Sequence, residues 1–369
     1  MIRNILTTLL AAVAITGSVF AATPITSVVT IEEPANLTSE TVPGADTTNF
    51  PPGTNYTINY GEDFDLRMTG FEAGKENFVI NNTLQTDVFL RRNTNISGIP
   101  EEHQIAWYRT TAEGAEEGDT RNVEASFVPT MEELLTDNII NRGTDNIFQN
   151  VDNASGNINN VQRVDFIFKD NFFLSPQNQA QLDGVGFAVL ERGGNDPIYV
   201  SAILGVGPGG SVTELGAPVR VENQNSGGWA GEGLWGGTRE TLVVRDTAVD
   251  GEYRPSTTVT PQDLFGMLFT LDSLGVEENQ SVFGYSIMPG DTNFDANDLE
   301  GLIDWLDEDV FQTDSNSSVG GLDLVSGGGA FIEDGLDITG LVVPEPTTTI
   351  PLMMLITLRV VFFRSRRLD

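Results

Sequence analysis

The chain has 369 residues, of which 53 are Asp or Glu and 19 are Lys or Arg, so its formal net charge is −34 at pH 7. This charge repels phosphates and anionic lipids, which argues against nucleic-acid binding and favours divalent cations and a saline or calcium-rich exterior. Cysteine is absent and His103 is the single histidine, which excludes disulfides, thiolate chemistry and histidine-rich zinc sites.

The first 22 residues have the pattern of a secretory signal peptide. Arg3 precedes an apolar run over residues 5–14, and small residues close the segment at Ala21 and Ala22. The run is shorter than the roughly 20 apolar residues of a spanning helix. We therefore expect export and removal of residues 1–22 by signal peptidase; the alternative is an uncleaved membrane anchor.

The next region, residues 23–290, consists of short runs that alternate apolar and polar residues or are rich in β-branched and aromatic side chains. Turn residues separate these runs, and the chain has 39 glycines. Such spacing predicts an all-β body, an antiparallel β-sandwich or jelly roll with a few short helices. The predicted strands are 25–31, 56–60, 64–68, 87–91, 105–109, 123–128, 161–168, 185–191, 198–204, 242–244, 265–271 and 282–287.

His103 lies in a polar turn before the predicted strand 105–109. A Ser-His-Asp triad would depend on this one residue. We interpret it as a surface loop histidine rather than a catalytic group.

Two helices are predicted inside the chain. Thr130 can cap the first while Glu133 returns the hydrogen bond. Its buried stripe would comprise Met131, Leu134, Leu135 and Ile139. The second begins at Asn297, with apolar residues at helical spacing. Between them, residues 150–160 are rich in Asn and Gly, which suggests either an internal domain boundary or a long loop.

Residues 191–197, with the sequence ERGGNDP, are predicted as a strand end followed by a tight connection. Gly193 and Gly194 permit positive φ, the Asn-Asp pair can bond to the backbone, and Pro197 fixes entry into the next strand. A hairpin or Greek-key connection accounts for the segment without a ligand.

A glycine-rich loop over residues 223–237 carries Trp229 and Trp235. Exposed tryptophans on a β-sandwich can stack on sugar rings, because aromatic faces offer apolar area and polarised contacts. The alternative is that both side chains pack inward over a sheet edge. A carbohydrate-binding role would depend on the first reading.

Calcium is the one cofactor that the sequence suggests. Asp291, Asn293 and Asp295 match the first half of an EF-hand or dockerin loop, but Ala296 replaces its glycine and Leu302 stands where the bidentate acid belongs. The alternative is an acidic turn before a helix. Residues 291–343 are predicted as a separate acidic Gly/Asp-rich segment containing that short helix. Its part over 304–337 is interpreted as a hydrated spacer, with calcium ligation by carbonyls of residues 327–329 as the alternative.

The C-terminal segment, residues 344–369, has an ordered set of features. Pro344, Glu345 and Pro346 come first, an apolar stretch over 350–363 follows, and a basic cluster closes the chain. That cluster comprises Arg364, Arg366 and Arg367. The positive-inside tendency would hold this cluster in the cytoplasm, with the body outside and the apolar stretch as a transmembrane helix.

This order resembles the PEP-CTERM sorting signal of Gram-negative bacteria, which exosortase-type transpeptidases process near the Pro-Glu-Pro motif. Arg359 inside the apolar stretch departs from the family pattern. The resemblance implies an inner-membrane intermediate, exosortase as a processing partner, and final residence at the cell surface or in the extracellular matrix.

Two stretches of the body, within 161–203 and 281–334, resemble segments of exported bacterial proteins with PEP-CTERM tails. That resemblance brings no enzymatic activity with it and leaves the molecular role open. From both termini, the acidic composition and the lack of a nucleophile–histidine constellation, the sequence predicts a non-catalytic surface or matrix protein. Two alternatives stay open: a carbohydrate-binding module in extracellular polysaccharide, and a glycoside hydrolase or lyase that uses paired carboxylates.

Overall fold

A computed structural model provides the coordinates of the chain. The structure describes residues 22–35, 38–44, 50, 53–61, 64–92, 105–111, 120–128, 130–148, 161–226, 228–229, 234, 239–246, 253–290, 292, 321–325 and 327–344. The second predicted helix, the segment 150–160 and His103 lie outside these residues.

The described part of the chain is mostly β. Its strands are β1 (Thr23–Pro34), β2 (Thr38–Pro43), β3 (Asn55–Tyr60), β4 (Phe64–Ala73), β5 (Glu76–Ile80), β6 (Thr86–Arg92), β7 (Ile105–Arg109), β8 (Thr120–Asn122), β9 (Arg142–Thr144), β10 (Val161–Phe168), β11 (Phe172–Leu174), β12 (Val185–Arg192), β13 (Ile198–Val206), β14 (Val212–Leu215), β15 (Val219–Val221), β16 (Thr241–Asp246), β17 (Tyr253–Val259), β18 (Leu264–Thr270), β19 (Gly284–Pro289), β20 (Leu324–Val325), β21 (Phe331–Glu333) and β22 (Val342–Pro344). The α-helices are α1 (Met131–Thr136) and α2 (Gln179–Gly184).

One sheet of eleven strands curls into a barrel-like arrangement. Strands β12, β18, β1, β4, β5 and β21 are successive neighbours, and β21 pairs back to β12. Strands β20, β9, β7, β16 and β17 extend this sheet from β12. The antiparallel all-β class is therefore confirmed, and the ring of strands is a feature that the sequence did not indicate.

A second sheet of six strands packs against the barrel wall formed by β12 and β18. Its order is β14, β13, β19, β10 and β6, with β15 also on β13. Alternation explains the packing: Phe187 and Val189 of β12 face the second sheet, whereas Ala188 and Leu190 face the barrel interior. A strand buried on both faces needs a continuous apolar sequence, which β12 has over residues 185–190 before its charged end.

Aromatic rings join the two layers. Tyr285 of β19 stacks on Phe166 of β10 at 4.6 Å and on Phe187 of β12 at 4.5 Å between ring centroids. Such pairs contribute about 0.5–1.5 kcal/mol beyond the burial of their area. The Tyr285 hydroxyl also donates to the carbonyl of Gly327 at 2.7 Å, which satisfies the polar end of a buried ring.

A small sheet of β2, β3 and β8 covers β7 and β16. Its core contains Tyr60 and Tyr108, whose rings meet edge to face at 5.2 Å. Strands β3 and β8 run parallel, and the other strand pairs of the described residues are antiparallel.

The first predicted helix is confirmed, because Thr130 caps α1 by accepting from the Glu133 amide at 3.1 Å. The Ile139 side chain is buried, but it follows α1 and forms an isolated bridge with Arg67. The strand predicted over 123–128 is wrong: in this range only Val123 forms a bridge.

The acidic segment predicted over 291–343 contributes to the folded body in its described part. Strand β20 lies between β9 and β12, and β21 closes the barrel between β5 and β12. The described residues of 321–344 thus pair with strands of the body, and the division of the chain at residue 291 stays a prediction. Strands from before and after 150–160 likewise share both large sheets.

Candidate functional site

Trp229 does not offer a face to a sugar. Its side chain is 0% exposed, and its indole N–H donates to the carbonyl of Asp196 at 2.6 Å. The prediction of sugar stacking is wrong for Trp229, because the indole packs into the main core and satisfies its polar edge there. The alternative of inward packing holds for this residue.

Several other predicted site residues lie outside the described part of the chain. These are Trp235, Asp291, Asn293, Asp295, Glu345, Pro346, Arg364, Arg366 and Arg367. Their roles stay predictions. Within the described residues no group of three His, Cys, Asp or Glu side chains is arranged to hold a metal ion. No helix among those residues is long and apolar enough to cross a membrane.

The connection over residues 191–197 crosses between the two large sheets. Strand β12 belongs to the barrel and β13 to the second sheet, and these strands are not paired, so the hairpin alternative is excluded and the Greek-key connection stays a prediction. Gly193 and Gly194 have φ of 107° and 65°, as their positions in a tight turn require.

A buried group of charges surrounds this crossing, which we call the Arg192 cluster: Arg192, Glu191, Asp145, Asp196 and Asp323. The guanidinium of Arg192 donates to Asp145 at 2.7 Å and to Asp323 at 2.6 Å, and it lies 5.2 Å from the Trp107 ring. Glu191 accepts the Gly194 amide through Oε2, while its Oε1 has no partner among the described residues.

Burial controls the ionisation of this cluster. Burial raises the pKa of Asp196 to about 6, although a hydrogen bond from the Gly321 backbone acts in the opposite direction. Burial likewise raises the pKa of Asp323 despite the neighbouring Arg192. Burial and then the charges of Asp323 and Asp196 raise the pKa of Glu191.

The Arg192 cluster fastens three distant segments together. Asp145 follows β9, Asp323 precedes β20, and Arg192 ends β12. The Asn146 amide adds a 2.9 Å bond to Asp323. Because the whole cluster is buried, its carboxylates are not open to a substrate, and its geometry fits a structural clamp rather than acid-base chemistry.

An open groove lies elsewhere, on the outer face of the second sheet. It encloses about 410 Å³ between the turn that follows β10 and the turn that joins β13 to β14. Half-buried phenylalanine rings line it, namely Phe89, Phe172 and Phe283, together with the exposed acids Asp87 and Asp170. We call it the phenylalanine groove.

Comparison of the chain with known protein families, with curated proteins and with solved structures finds no match. The function must therefore be argued from the residues themselves.

The two turns of the phenylalanine groove depend on local sequence. Asp170 and Asn171 have φ of 57° and 55°, a left-handed conformation that Asp and Asn tolerate better than other side chains. In the facing turn, Gly210 has φ 76°, and a Cβ there would approach the Phe89 ring to 2.7 Å. Glycine is required at that position.

Arg91 braces the floor of the groove. Its guanidinium donates to the Gly210 carbonyl at 2.6 Å and to buried Asp165 at 2.6 Å, and it lies 5.1 Å from the Phe89 ring. Asp165 also accepts from the Ser286 hydroxyl at 2.6 Å. The facing turn is thereby tied to the sheet.

Strand β22 pairs with β11 next to this groove. Pro344, the first residue of the predicted sorting motif, pairs with Phe172 in a two-stranded sheet of β11 and β22. The Ser175 amide donates to the carbonyl of buried Leu341 at 2.8 Å, which holds the same segment.

Sequence reasoning missed the groove for an identifiable reason. Its signals were two short turns, Lys169-Asp170-Asn171 and Gly207-Pro208-Gly209-Gly210, each next to a strand-like run. Both are ordinary turn sequences, and only the pairing order of β6, β10, β19 and β13 brings them together.

Proposed function

We propose that this chain is an exported, non-catalytic protein of the bacterial cell surface or extracellular matrix. In this proposal the tail resembling a PEP-CTERM signal delivers it to an exosortase, with an inner-membrane intermediate. The proposal includes the finer description of the body as a β-sandwich, which the packing of the six-stranded sheet on one barrel wall supports.

One observation carries the proposal: the described strands lie between the two predicted sorting segments, up to the first residue of the motif. Strand β1 begins at Thr23, directly after the predicted signal peptide, and β22 ends at Pro344, the first residue of the predicted motif. The described residues between the two predicted sorting segments therefore include a folded all-β body that such segments could export and anchor.

The burial of the Arg192 cluster argues against glycosidase chemistry at that cluster. Glycosidase chemistry needs two accessible carboxyl groups with a sugar between them. The carboxyls of this cluster are buried, and those of Asp145 and Asp323 accept hydrogen bonds from Arg192. A second candidate function, carbohydrate binding, gains support from the phenylalanine groove rather than from the loop of Trp229.

The test is to express the full chain in a Gram-negative host with and without an exosortase. We expect the mature N-terminus at Ala22 or Thr23, and loss of the tail only when the exosortase is present. Intact-mass spectrometry of the membrane and medium fractions measures both events.

A matched pair of variants sharpens this test. Glu345→Gln changes the motif and should block removal of the tail, whereas Thr347→Ala, two residues later, should leave it unchanged. Retention of residues 1–22, or tail removal that ignores both the exosortase and Glu345→Gln, would contradict the proposal.

Calcium binding by residues 291–295 is a separate part of the proposal. A cation that binds the native state raises the melting temperature with the logarithm of its concentration over its Kd. We expect a rise with millimolar calcium that magnesium does not reproduce and that Asp291→Asn with Asp295→Asn removes. Equal melting curves with calcium and with chelator would reject the site.

A further inference from the structure

The phenylalanine groove combines features that a ligand of one chemical class would satisfy. We propose that it binds a neutral sugar ring of a polysaccharide. This inference rests on the proposed function in one respect, because only an exported body would meet such polymers. The binding itself is a property of the folded chain.

The first argument is the apolar wall. Phe89, Phe172 and Phe283 come from three different strands or their edges and line one space of about 410 Å³. A volume of this size lies within the range of small-ligand sites, which is about 300–1,000 Å³. Aromatic rings give a sugar the flat apolar area that its C–H face needs.

The second argument is the set of hydrogen-bond acceptors at the rim. Asp87 and Asp170 are exposed, and Asn171 beside them adds an amide. Carboxylates accept strong hydrogen bonds from hydroxyl groups. Asp170 and Asn171 lie in a left-handed turn that sets their backbone conformation before a ligand binds, which reduces the ordering needed on binding.

The third argument is charge, which discriminates between ligand classes. Asp87, Asp170 and the net charge of −34 repel acidic sugars. Two features of the groove that a cationic ligand would use already have cationic neighbours within the protein. Lys169 lies 3.8 Å from Asp87, and Arg91 lies 5.1 Å from the Phe89 ring.

The fourth argument is preorganisation. Arg91 fixes Gly210 to buried Asp165, and β11 carries Phe172 in a sheet with β22. Both sides of the groove are thus tied to the body. The groove is therefore formed before a ligand binds.

The experiment uses the full chain purified in a zwitterionic detergent, since sugar-based detergents would compete. Calorimetric titration compares two neutral polysaccharides, dextran and laminarin, with acidic alginate and a tetralysine peptide. We expect saturable binding of at least one neutral polymer and none of the charged probes.

Three variants locate the binding. Phe283→Ala should raise Kd about tenfold, since it removes one ring of the wall. Asp170→Asn should raise Kd about fivefold by removing a charged acceptor, and Asn suits the same backbone conformation. The control Asp334→Asn changes an exposed acid of a different depression and should bind like the wild type.

Three results would overturn the inference. These are the absence of saturable binding to both neutral polymers, a preference for alginate or tetralysine, and wild-type affinity in both Asp170→Asn and Phe283→Ala. Because Asp170 is exposed, its variant keeps the test valid even if Phe283→Ala unfolds. Absence of sugar binding would not affect the result of the sorting experiment, and failure of sorting would not affect the result of the titration.

Discussion

The Arg192 cluster and the phenylalanine groove contain the same types of side chain, but the first is a buried clamp and the second is a proposed ligand site. Each combines carboxylates, an arginine and aromatic rings. In the cluster Arg192 and its partners are buried, and the acids turn inward to join segments of the chain. In the groove Asp87 and Asp170 are exposed beside half-buried rings. Burial, rather than residue type, separates a clamp from a ligand site.

The largest effect should come from removing the cation of the cluster. Arg192→Leu leaves Asp145 and Asp323 buried without their partner, which costs about 3–5 kcal/mol for buried pairs of this kind. Urea unfolding measures the loss. The control Arg220→Leu removes a half-exposed arginine paired with Glu222 and should cost less than about 1 kcal/mol. Equal losses would remove the distinction between clamp and surface pair.

Protonation offers a second way to test the cluster. Asp196 has a folded-state pKa of about 6, above its ordinary value of 3.8, so the native state holds a proton that the unfolded chain releases between about pH 4 and 6. The contribution of Asp196 to the free energy of unfolding therefore falls as pH rises through this window. The cluster around Asp196 also contains four other charged or titratable groups, namely Arg192, Asp145, Glu191 and Asp323.

Asp196→Asn should flatten the dependence of stability on pH between about pH 4 and 6 by on the order of 2 kcal/mol relative to wild type. Chemical unfolding at several pH values measures the slope. Asp337→Asn is the control: hydrogen bonds from Thr339 lower the pKa of Asp337, so its effect falls below this window. Parallel curves for wild type and Asp196→Asn would contradict the interpretation.

A smaller loss is expected when the buried indole loses its N–H. Trp229→Phe keeps an aromatic ring in the core but leaves the Asp196 carbonyl without its 2.6 Å donor. The cost of such an unsatisfied buried group is about 1–3 kcal/mol. The thermal melt should shift down while affinity for neutral polysaccharide stays unchanged. If a folded Trp229→Phe variant bound sugar more weakly than wild type, Trp229 would have a role in binding, which contradicts the conclusion drawn from its burial.

The smallest effect on stability should come from the groove rim. Asp170→Asn alters an exposed side chain in a turn that Asn also adopts, so the free energy of unfolding should stay within about 0.5 kcal/mol of wild type. Urea unfolding beside the titration described above measures this. A large loss of stability would make Asp170 a structural residue and weaken the contrast with the Arg192 cluster.

Local pattern predicted much of the strand content and one helix. The runs over 105–109 and 161–168 coincide with β7 and β10, because both are rich in β-branched and aromatic residues. Thr130 and Glu133 marked the start of α1 through capping chemistry. Strands β20 and β21 were missed, because they are two and three residues long within an acidic, glycine-rich segment.

The candidate sites depended on information that local pattern lacks. The sequence ERGGNDP predicts a tight turn correctly, but whether the turn joins paired strands or two sheets depends on which strands become neighbours. Trp229 among glycines resembles an exposed loop residue until the core that covers it is known. The charges of Asp145 and Asp323 resemble solvated surface until Arg192 meets them across 47 and 131 residues.

By itself the sequence determined the acidic character, the absence of cysteine chemistry, the all-β class and the ordered features at both ends, since composition and short-range periodicity encode these. Only the tertiary structure decided that the barrel closes through β21, that four acids are buried around one arginine, and that two ordinary turns enclose a groove of phenylalanines. The physical reason is that burial and contact arise from residues far apart in the chain, whose meeting is fixed by strand pairing and shared core packing.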